Sequence, residues 1–295
     1  MGVLYQRVPK ALRQRLIADV LGEVREGLLD LSGLWVAWRR GRIIGTVLTQ
    51  ALAGRAAAVW APEVTLVWGR SATAIALVHA ALDSLRVQGF RVAQALLDES
   101  APPHGADDLT RGGLPQVTEL LYLERATAPP FAVEPGLPRF DWRAYGPATE
   151  VEFRQVLQAT YTGSLDMPEL EGVRSLDDVL ASHRAGGRFD PVRWQIGLLS
   201  DDQATAAILL LSELPEHEAW EVAYLGLTPA ARGRGLGRVA LAHALNLARP
   251  HTARLELAVD ARNEPANHLY QRAGFTLFDR RAVHLAALSK GCTEQ

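Results

Sequence analysis

Residues 221–238 read Glu221-Val222-Ala223-Tyr224-Leu225-Gly226-Leu227-Thr228-Pro229-Ala230-Ala231-Arg232-Gly233-Arg234-Gly235-Leu236-Gly237-Arg238. The branched and aromatic residues at 220–227 predict a strand, and Pro229, which lacks an N–H, ends it. Glycines then alternate with arginines. At once a run of strong helix formers follows at 236–248, stopped by Pro250. A helix start presents unpaired backbone N–H groups and a partial positive charge. Gly233, Gly235 and Gly237 let a phosphate approach the main chain, and Arg232, Arg234 and Arg238 add charge suited to a diphosphate. The stretch reads as an anion cradle; the competing reading is a surface turn with solvated arginines.

Two familiar phosphate-binding patterns fit poorly. No Gly-Lys-Ser/Thr follows the loop, so a P-loop is absent. Gly235-x-Gly237-x-x-Ala240 has the dinucleotide spacing, and Glu256 lies about 20 residues further on. Against it stand the arginines, the place of Glu256 inside the next strand, and the short chain remaining.

Outward from the cradle, strands and helices alternate. Downstream, 255–259 predicts a strand and 263–273 a helix, with Asn263 at its start and Gly274 as its left-handed stop. Two short strands, 275–278 and 282–286, follow. Upstream, 140–145 predicts a strand and 150–161 a helix. A second helix at 175–182 has Ser175 as its cap, and a hairpin joins 193–199 to 204–211. Residues 126–139 hold Pro129, Pro130, Pro135, Pro138 and Gly136, and read as a linker.

The first half repeats this order faintly. A hairpin, 34–38 and 43–49, turns at Arg40-Gly41. A strand at 57–67 is interrupted by Pro62. A helix at 72–87, a strand at 92–97, a short helix near 107–114 and a strand at 117–123 follow. Domains are expected at 1–125 and 140–295, as two copies of one α/β unit or two unrelated α/β domains. Trp35, Trp38, Trp60 and Trp68 are expected in the first half's core or the domain interface.

Composition narrows the function. The chain has 295 residues, 48% hydrophobic and 22% charged, which suits a folded soluble protein. Thirty-one Lys and Arg against 33 Asp and Glu leave a net charge of −2, which invites neither nucleic acid nor acidic membrane. The aliphatic run at 206–211 is far short of the roughly 20 residues that span a bilayer, and the first residues lack an apolar targeting core. A single cysteine, Cys292, excludes a disulfide framework, agrees with a reducing cytoplasm and is a poor nucleophile in a polar tail. No Gly-x-Ser-x-Gly elbow, HExxH or Cys/His cluster occurs, so neither a hydrolase triad nor a metal is expected. Abundant Ala, Arg, Leu and Gly suggest a GC-rich bacterial source.

Arg232-x-x-Gly235-x-Gly237 after a strand ending near Thr228-Pro229 resembles the acetyl-CoA-binding motif of the GNAT superfamily of N-acetyltransferases. Asn263-Glu-Pro-Ala-Asn-His-Leu-Tyr270-Gln-Arg-Ala-Gly274-Phe275 resembles that superfamily's second motif, in the expected order and at the expected separation. The resemblance is firm over 220–287 and extends from 140. The first half, lacking any Arg-x-x-Gly-x-Gly, resembles a degenerate copy. The implied fold is two tandem GNAT-like α/β domains, each a mixed, mostly antiparallel sheet flanked by helices. The implied activity is direct transfer from acetyl-CoA or another acyl-CoA to a small-molecule or peptide amine, without a covalent enzyme intermediate.

By that resemblance, Leu225, Gly226 and Leu227 offer backbone groups to the pantetheine arm. Arg232 belongs to the motif, and the amides of Gly233, Arg234, Gly235, Leu236, Gly237 and Arg238 hold the diphosphate. Asn263 contacts the cofactor, caps its helix, or does both. Tyr270 matches the acid that protonates the departing thiolate; packing beside Leu269 is the alternative. An acceptor amine with a pKa near 10.4 needs a base at neutral pH. Some members place a glutamate where Glu221 stands, acting directly or through water. Period-2 alternation puts Glu221, Ala223, Leu225 and Leu227 on one face, the cofactor side. The base other members carry on the next strand is replaced by Ala258. A backbone N–H near Leu227 would serve the oxyanion. Tyr161, Ser164, Asp166 and Glu169 are expected to cover the acceptor site. His243 and His268 read as surface or core histidines. A CoA-binding regulator without turnover is the competing function.

Overall fold

The structure, a computed structural model, describes residues 2–27 and 30–288; Cys292 lies outside the described residues. The chain forms two compact units, Met1–Thr118 with Arg281–Gln295, and Glu119–Arg280. The Pro-rich stretch 126–139 therefore belongs to the second unit.

The first unit begins with helix α1 (Lys10–Arg25), which buries none of its residues; with no apolar stripe to mark it, it is not among the expected elements. Strands β1 (Leu34–Arg39) and β2 (Arg42–Leu52) form the expected hairpin. Its two turn residues, Arg40 and Gly41, have φ of 50° and 72°, as a type I′ turn requires. Pro62 divides the next stretch into β3 (Ala56–Val59) and β4 (Glu63–Val64). Helix α2 (Arg70–Val87), strand β5 (Val92–Leu97) and helix α3 (Gly105–Arg111) complete this half. Strand β6 (Gln116–Ala126) starts here and runs on into the second unit. Strand β3 pairs antiparallel with β2 and parallel with β5. Val78, Leu82, Leu109 and Leu114 are among the fully or nearly fully buried residues of the core.

Trp35 packs on that core, but Trp38, Trp60 and Trp68 are 62%, 38% and 89% exposed. Of the four tryptophans expected in the core or the domain interface, three are thus exposed. Alternation along a strand puts Trp38 outside, and the other two lie in the segments flanking β4, where no helix covers them.

The second unit holds β7 (Phe140–Ala144), α4 (Glu150–Tyr161), α5 (Leu176–Ala185), β8 (Trp194–Leu199), β9 (Thr205–Leu214) and β10 (Ala219–Leu227). Then come α6 (Leu236–Ala248), β11 (Arg254–Asp260) and α7 (Glu264–Arg272). Ser175 and Asp178 form a capping box at the start of α5. Strands β7 to β10 pair antiparallel in sequence, β10 and β11 pair parallel, and β6 pairs antiparallel with β11. One face of this sheet packs on α6 and α7 through Leu211, Val222, Leu241, Leu257 and Tyr270. The other packs on α4 and α5 through Phe153, Leu157, Leu180, Ile208 and Leu210.

Residues 276–287, expected as two short strands, form one, β12 (Thr276–Ala287). It begins in the second unit, and its last residues pair antiparallel with β5 in the first. Each unit therefore takes the strand beside its parallel pair from the other half of the chain. Both units have the mixed, mostly antiparallel sheet expected. Among the described residues no helix is long and apolar enough to cross a membrane.

Candidate active site

The site follows from an incomplete parallel pair. Strands β10 and β11 are in register only at Trp220–Leu255 and Glu221–Glu256. Beyond Glu221, β10 keeps β9 on one side, while its β11 side opens into a cavity of about 660 Å3. The opening coincides with a bulge: Val222 faces Leu211 and Tyr224 faces Leu210, so Ala223 is an extra residue.

That bulge overturns the expected facing. Trp220 and Val222 pack on the α6 side, and so do Leu225 and Leu227, whereas Ala223 and Tyr224 pack on the α4 side. Glu221, between Trp220 and Val222, thus faces the α4 side, opposite Leu225 and Leu227. Sequence alternation missed this because one inserted residue reverses every later side chain. Glu221 lines neither this cavity nor the smaller one below; Val222 and Ala223 are the nearest lining residues of its strand. Burial, and then the neighbouring Glu256 carboxylate, push the Glu221 carboxyl up to about 7.

At one end of the cavity the glycine loop has the geometry of a cradle. Gly233 and Gly235 have φ of 74° and 75°, and Gly235 starts α6 with no side-chain cap. The first amides of α6 are therefore available to an anion. Packing is close as well: a Cβ on Gly235 would stand 3.0 Å from Leu137, and one on Gly237 would stand 3.2 Å from Leu269. Leu236 is fully buried, so only its main chain can serve a ligand.

The three arginines divide their work. Arg232 donates from Nε to Leu227 O (3.2 Å), from Nη1 to Gly163 O (3.0 Å) and from Nη2 to Thr160 O (2.9 Å). Its expected charge for a diphosphate is committed instead to tying β10 to the end of α4. Arg238 is paired with Glu134 of the Pro-rich stretch. Arg234 is exposed, with no partner among the described residues.

Helix α7 supplies the far wall. The Asn263 side chain accepts from Ala266 N at 3.3 Å, so it caps the helix while lining the cavity. Asn267, which sequence reading passed over, donates to Asp260 O, Ala261 O and Asn263 O and braces the turn. Its signal was a second asparagine one helical turn after the cap. Tyr270 is 7% exposed and lines the cavity. Burial, reinforced by Asp166 and Tyr224, raises its phenol, which keeps the proton on it at neutral pH.

Residues 162–175 close the α4 side. The Asp260 carboxylate accepts from Met167 N (3.2 Å) and from Arg262 Nη2 (2.7 Å), and Arg262 grips Glu169 at 2.7 and 2.9 Å. Asp260 N in turn donates to Asp166 Oδ1 at 2.9 Å. Ser164 and Asp166 line both the main cavity and a second one of about 190 Å3; Tyr161 lines only the second. Tyr224, also unanticipated, borders both and donates to Thr160 Oγ1 at 3.1 Å. His268 lines the main cavity. His243 instead stacks on Trp142 at 4.4 Å and meets Gln195 Oε1 at 2.7 Å; burial lowers it to about 4, a neutral core imidazole. Among the described residues no group of three or more His, Cys, Asp or Glu could hold a metal ion.

Residues 160–275 match the model of the Acetyltransferase (GNAT) family. The chain is 33% identical over 176 residues to a mycothiol acetyltransferase of Beutenbergia cavernae, covering 56% of this chain and 57% of that one. It is 31% identical over 223 residues to a mycothiol acetyltransferase of Rhodococcus erythropolis, covering 68% of this chain and 71% of that one. The match thus spans little more than half of the first relative. A GCN5-related N-acetyltransferase from Sphaerobacter thermophilus has the same fold, with a TM-score of 0.60 at 17% identity over 90% of this chain and 86% of that one.

Proposed function

Since the chain belongs to the GNAT acetyltransferase family, we propose that it is an acyl-CoA-dependent N-acyltransferase, with acetyl-CoA as donor and a small-molecule amine as acceptor. The observation that carries this is one continuous cavity. It joins the capless, glycine-lined start of α6 to the Tyr270 phenol along the unpaired edge of β10. The residues fit the donor. The amides of 233–237 suit a diphosphate, that of Arg238 being turned back onto Gly235 O at 3.1 Å, and the edge of Leu225, Gly226 and Leu227 away from β9 suits an amide-bearing arm, which binds as an added strand would.

The donor supplies a thioester whose carbonyl carbon the amine attacks, forming the C–N bond as the C–S bond breaks. Tyr270, whose raised phenol carries its proton at neutral pH, donates that proton to the departing sulfur. Glu221 takes the proton the amine loses. Its carboxyl, poised near 7, lies on the same face as Ala223 but outside the cavity, so an intervening water carries the proton. The developing oxyanion is met by a backbone N–H of the β10 edge, expected near Leu227, while the bulge itself lies at 222–224. The acetyl group and a small acceptor are supported by the relatives' names, and their organisms support a bacterial source.

One observation favours a second reading, a CoA-binding regulator: Ala258 sits in the cavity, and Glu221 stands outside it. One experiment separates the two. Calorimetry is expected to detect CoA, and thiol release with an amine panel is expected to detect turnover. Tyr270→Phe is expected to lower kcat by about 100-fold or more with cofactor affinity intact. Absence of CoA binding at millimolar ligand would overturn both readings. Binding without thiol release would leave the regulator.

A further inference from the structure

The second cavity carries an inference about the acceptor, and it rests on the acyltransferase reading. This chamber of about 190 Å3 lies under residues 162–175 and shares Ser164, Asp166, Ala223 and Tyr224 with the donor cavity. The two spaces therefore meet at the bulge of β10, on the side of the sheet that Glu221 also faces. At that volume, the chamber is below the 300–1,000 Å3 range typical of drug-sized ligands and suits a molecule of few heavy atoms.

Three charged residues line it, Asp166, the exposed Glu171 and Arg174, and the first and last concern the acceptor. Asp166, at the junction, is half-buried, which raises its carboxyl, and its one side-chain bond among the described residues is the amide of Asp260 on Oδ1. A half-buried carboxylate with an open oxygen is an acceptor for an ammonium group. Arg174 lines the chamber, away from the junction residues. It makes one hydrogen bond, from Nη1 to Ser182 Oγ at 2.8 Å, and no ion pair among the described residues; its Nε is buried without a partner. The Asp178 carboxylate acts on it without touching it, so the guanidinium keeps unpaired donors, and a planar fork is the best side chain for a carboxylate. The rings of Tyr161 and Tyr224, stacked at 5.0 Å, also line the chamber, with His183 5.6 Å from Tyr224 and 2.9 Å from the Tyr161 hydroxyl. Met167, Leu170, Leu176 and Val179 complete the wall with apolar surface, which suits the carbon skeleton between two charged ends.

We propose that this chamber is the acceptor site and that it selects small amino acids, molecules carrying one amine and one carboxylate. The ammonium rests beside Asp166, at the junction with the thioester, and the carboxylate pairs with Arg174. Both residues recognise the acceptor; proton removal stays with Glu221.

The test uses the full chain with acetyl-CoA and a panel of glycine, β-alanine, γ-aminobutyrate and larger α-amino acids, each beside its decarboxylated amine. Turnover is read as the ratio of kcat/KM for an acid to that for its amine. Binding is read by calorimetry with CoA present. The wild-type ratio is expected to favour at least one acid by about 10- to 100-fold, the worth of a charge-assisted contact. Arg174→Met is expected to bring the ratio close to one, chiefly through KM, and Arg174→Lys to restore part of it. Asp166→Asn is expected to weaken acid binding with CoA affinity unchanged. Wild-type ratios near one across the panel would overturn the proposal, as would an Arg174→Met that folds and leaves the ratio unaltered. If CoA binds and amines turn over in either event, the acyltransferase reading stands; if CoA does not bind, that reading fails first.

Discussion

In the first unit, the parallel pair stays closed: β3, which β4 separates from the long helix, keeps β5 in register at Ala56, Ala57 and Ala58. Helix α2 then starts behind Gly69, whose φ is 76°, with Arg70 as its first residue. The Arg70 guanidinium meets the fully buried carboxylate of Asp108 at 2.6 and 2.7 Å. In the second unit the same junction has the same backbone device, Gly235 at 75°, but β10 leaves β11 after two residue pairs and the helix starts on Leu236. One junction meets its charge from within the protein, and the other leaves its amides to a ligand. A strand–turn–helix unit thus becomes either ballast or a site, depending on whether its parallel pair closes and on what stands at the helix start.

Breaking the closed junction is expected to have the largest effect. Asp108→Ala leaves Arg70 without its partner and is expected to cost about 3 kcal/mol of stability. Thermal or denaturant unfolding would read that loss, and CoA affinity in the folded protein should not move. Gly235→Val strikes the open junction. A branched residue is strained at this φ, and its Cβ meets Leu137, so CoA affinity is expected to fall about 100-fold, roughly 2.7 kcal/mol. Calorimetry checks this against retained circular dichroism.

Glu221→Gln sharpens the comparison through pH. The native carboxyl titrates near 7, above its ordinary 4.5, so the folded state favours the protonated form. Its burden on stability is absent below about 4.5, grows as pH rises, and is complete above 7. A base must be deprotonated, so wild-type kcat/KM should rise with pH through 7. The variant should be about 10-fold slower at pH 8, flat from 6 to 8, and free of this stability loss. The smallest effect is expected at Gly69→Ala. Nothing stands within 4 Å of an added Cβ, so only the left-handed backbone matters, about 1 kcal/mol of stability with unchanged CoA affinity.

Legibility followed the range of each interaction. The β10–loop–α6 segment, the Ser175 capping box, the Asn263 cap and the left-handed Gly274 were readable because each is decided within a few residues. The extra residue at Ala223 was not, because a bulge shows only against the partner strand. Arg232 looked like a phosphate ligand, since no local pattern reveals carbonyls some 70 residues upstream waiting for its donors. Trp38, Trp60 and Trp68 looked like core for the same reason: size and apolarity suggest burial, but only neighbours provide it.

Taken alone, then, the order of residues determined the kind of protein: a glycine loop that can open only as a strand-to-helix turn, and a family that uses such turns for acyl-CoA. Tertiary structure decided where chemistry can occur. It set the face of Glu221, put Asp166 and Arg174 around one small chamber, and paired β6 with β11 and β12 with β5 across long stretches of sequence. Turns and caps are governed by steric preferences of adjacent residues, whereas pairing register, burial and charge proximity exist only once distant segments meet.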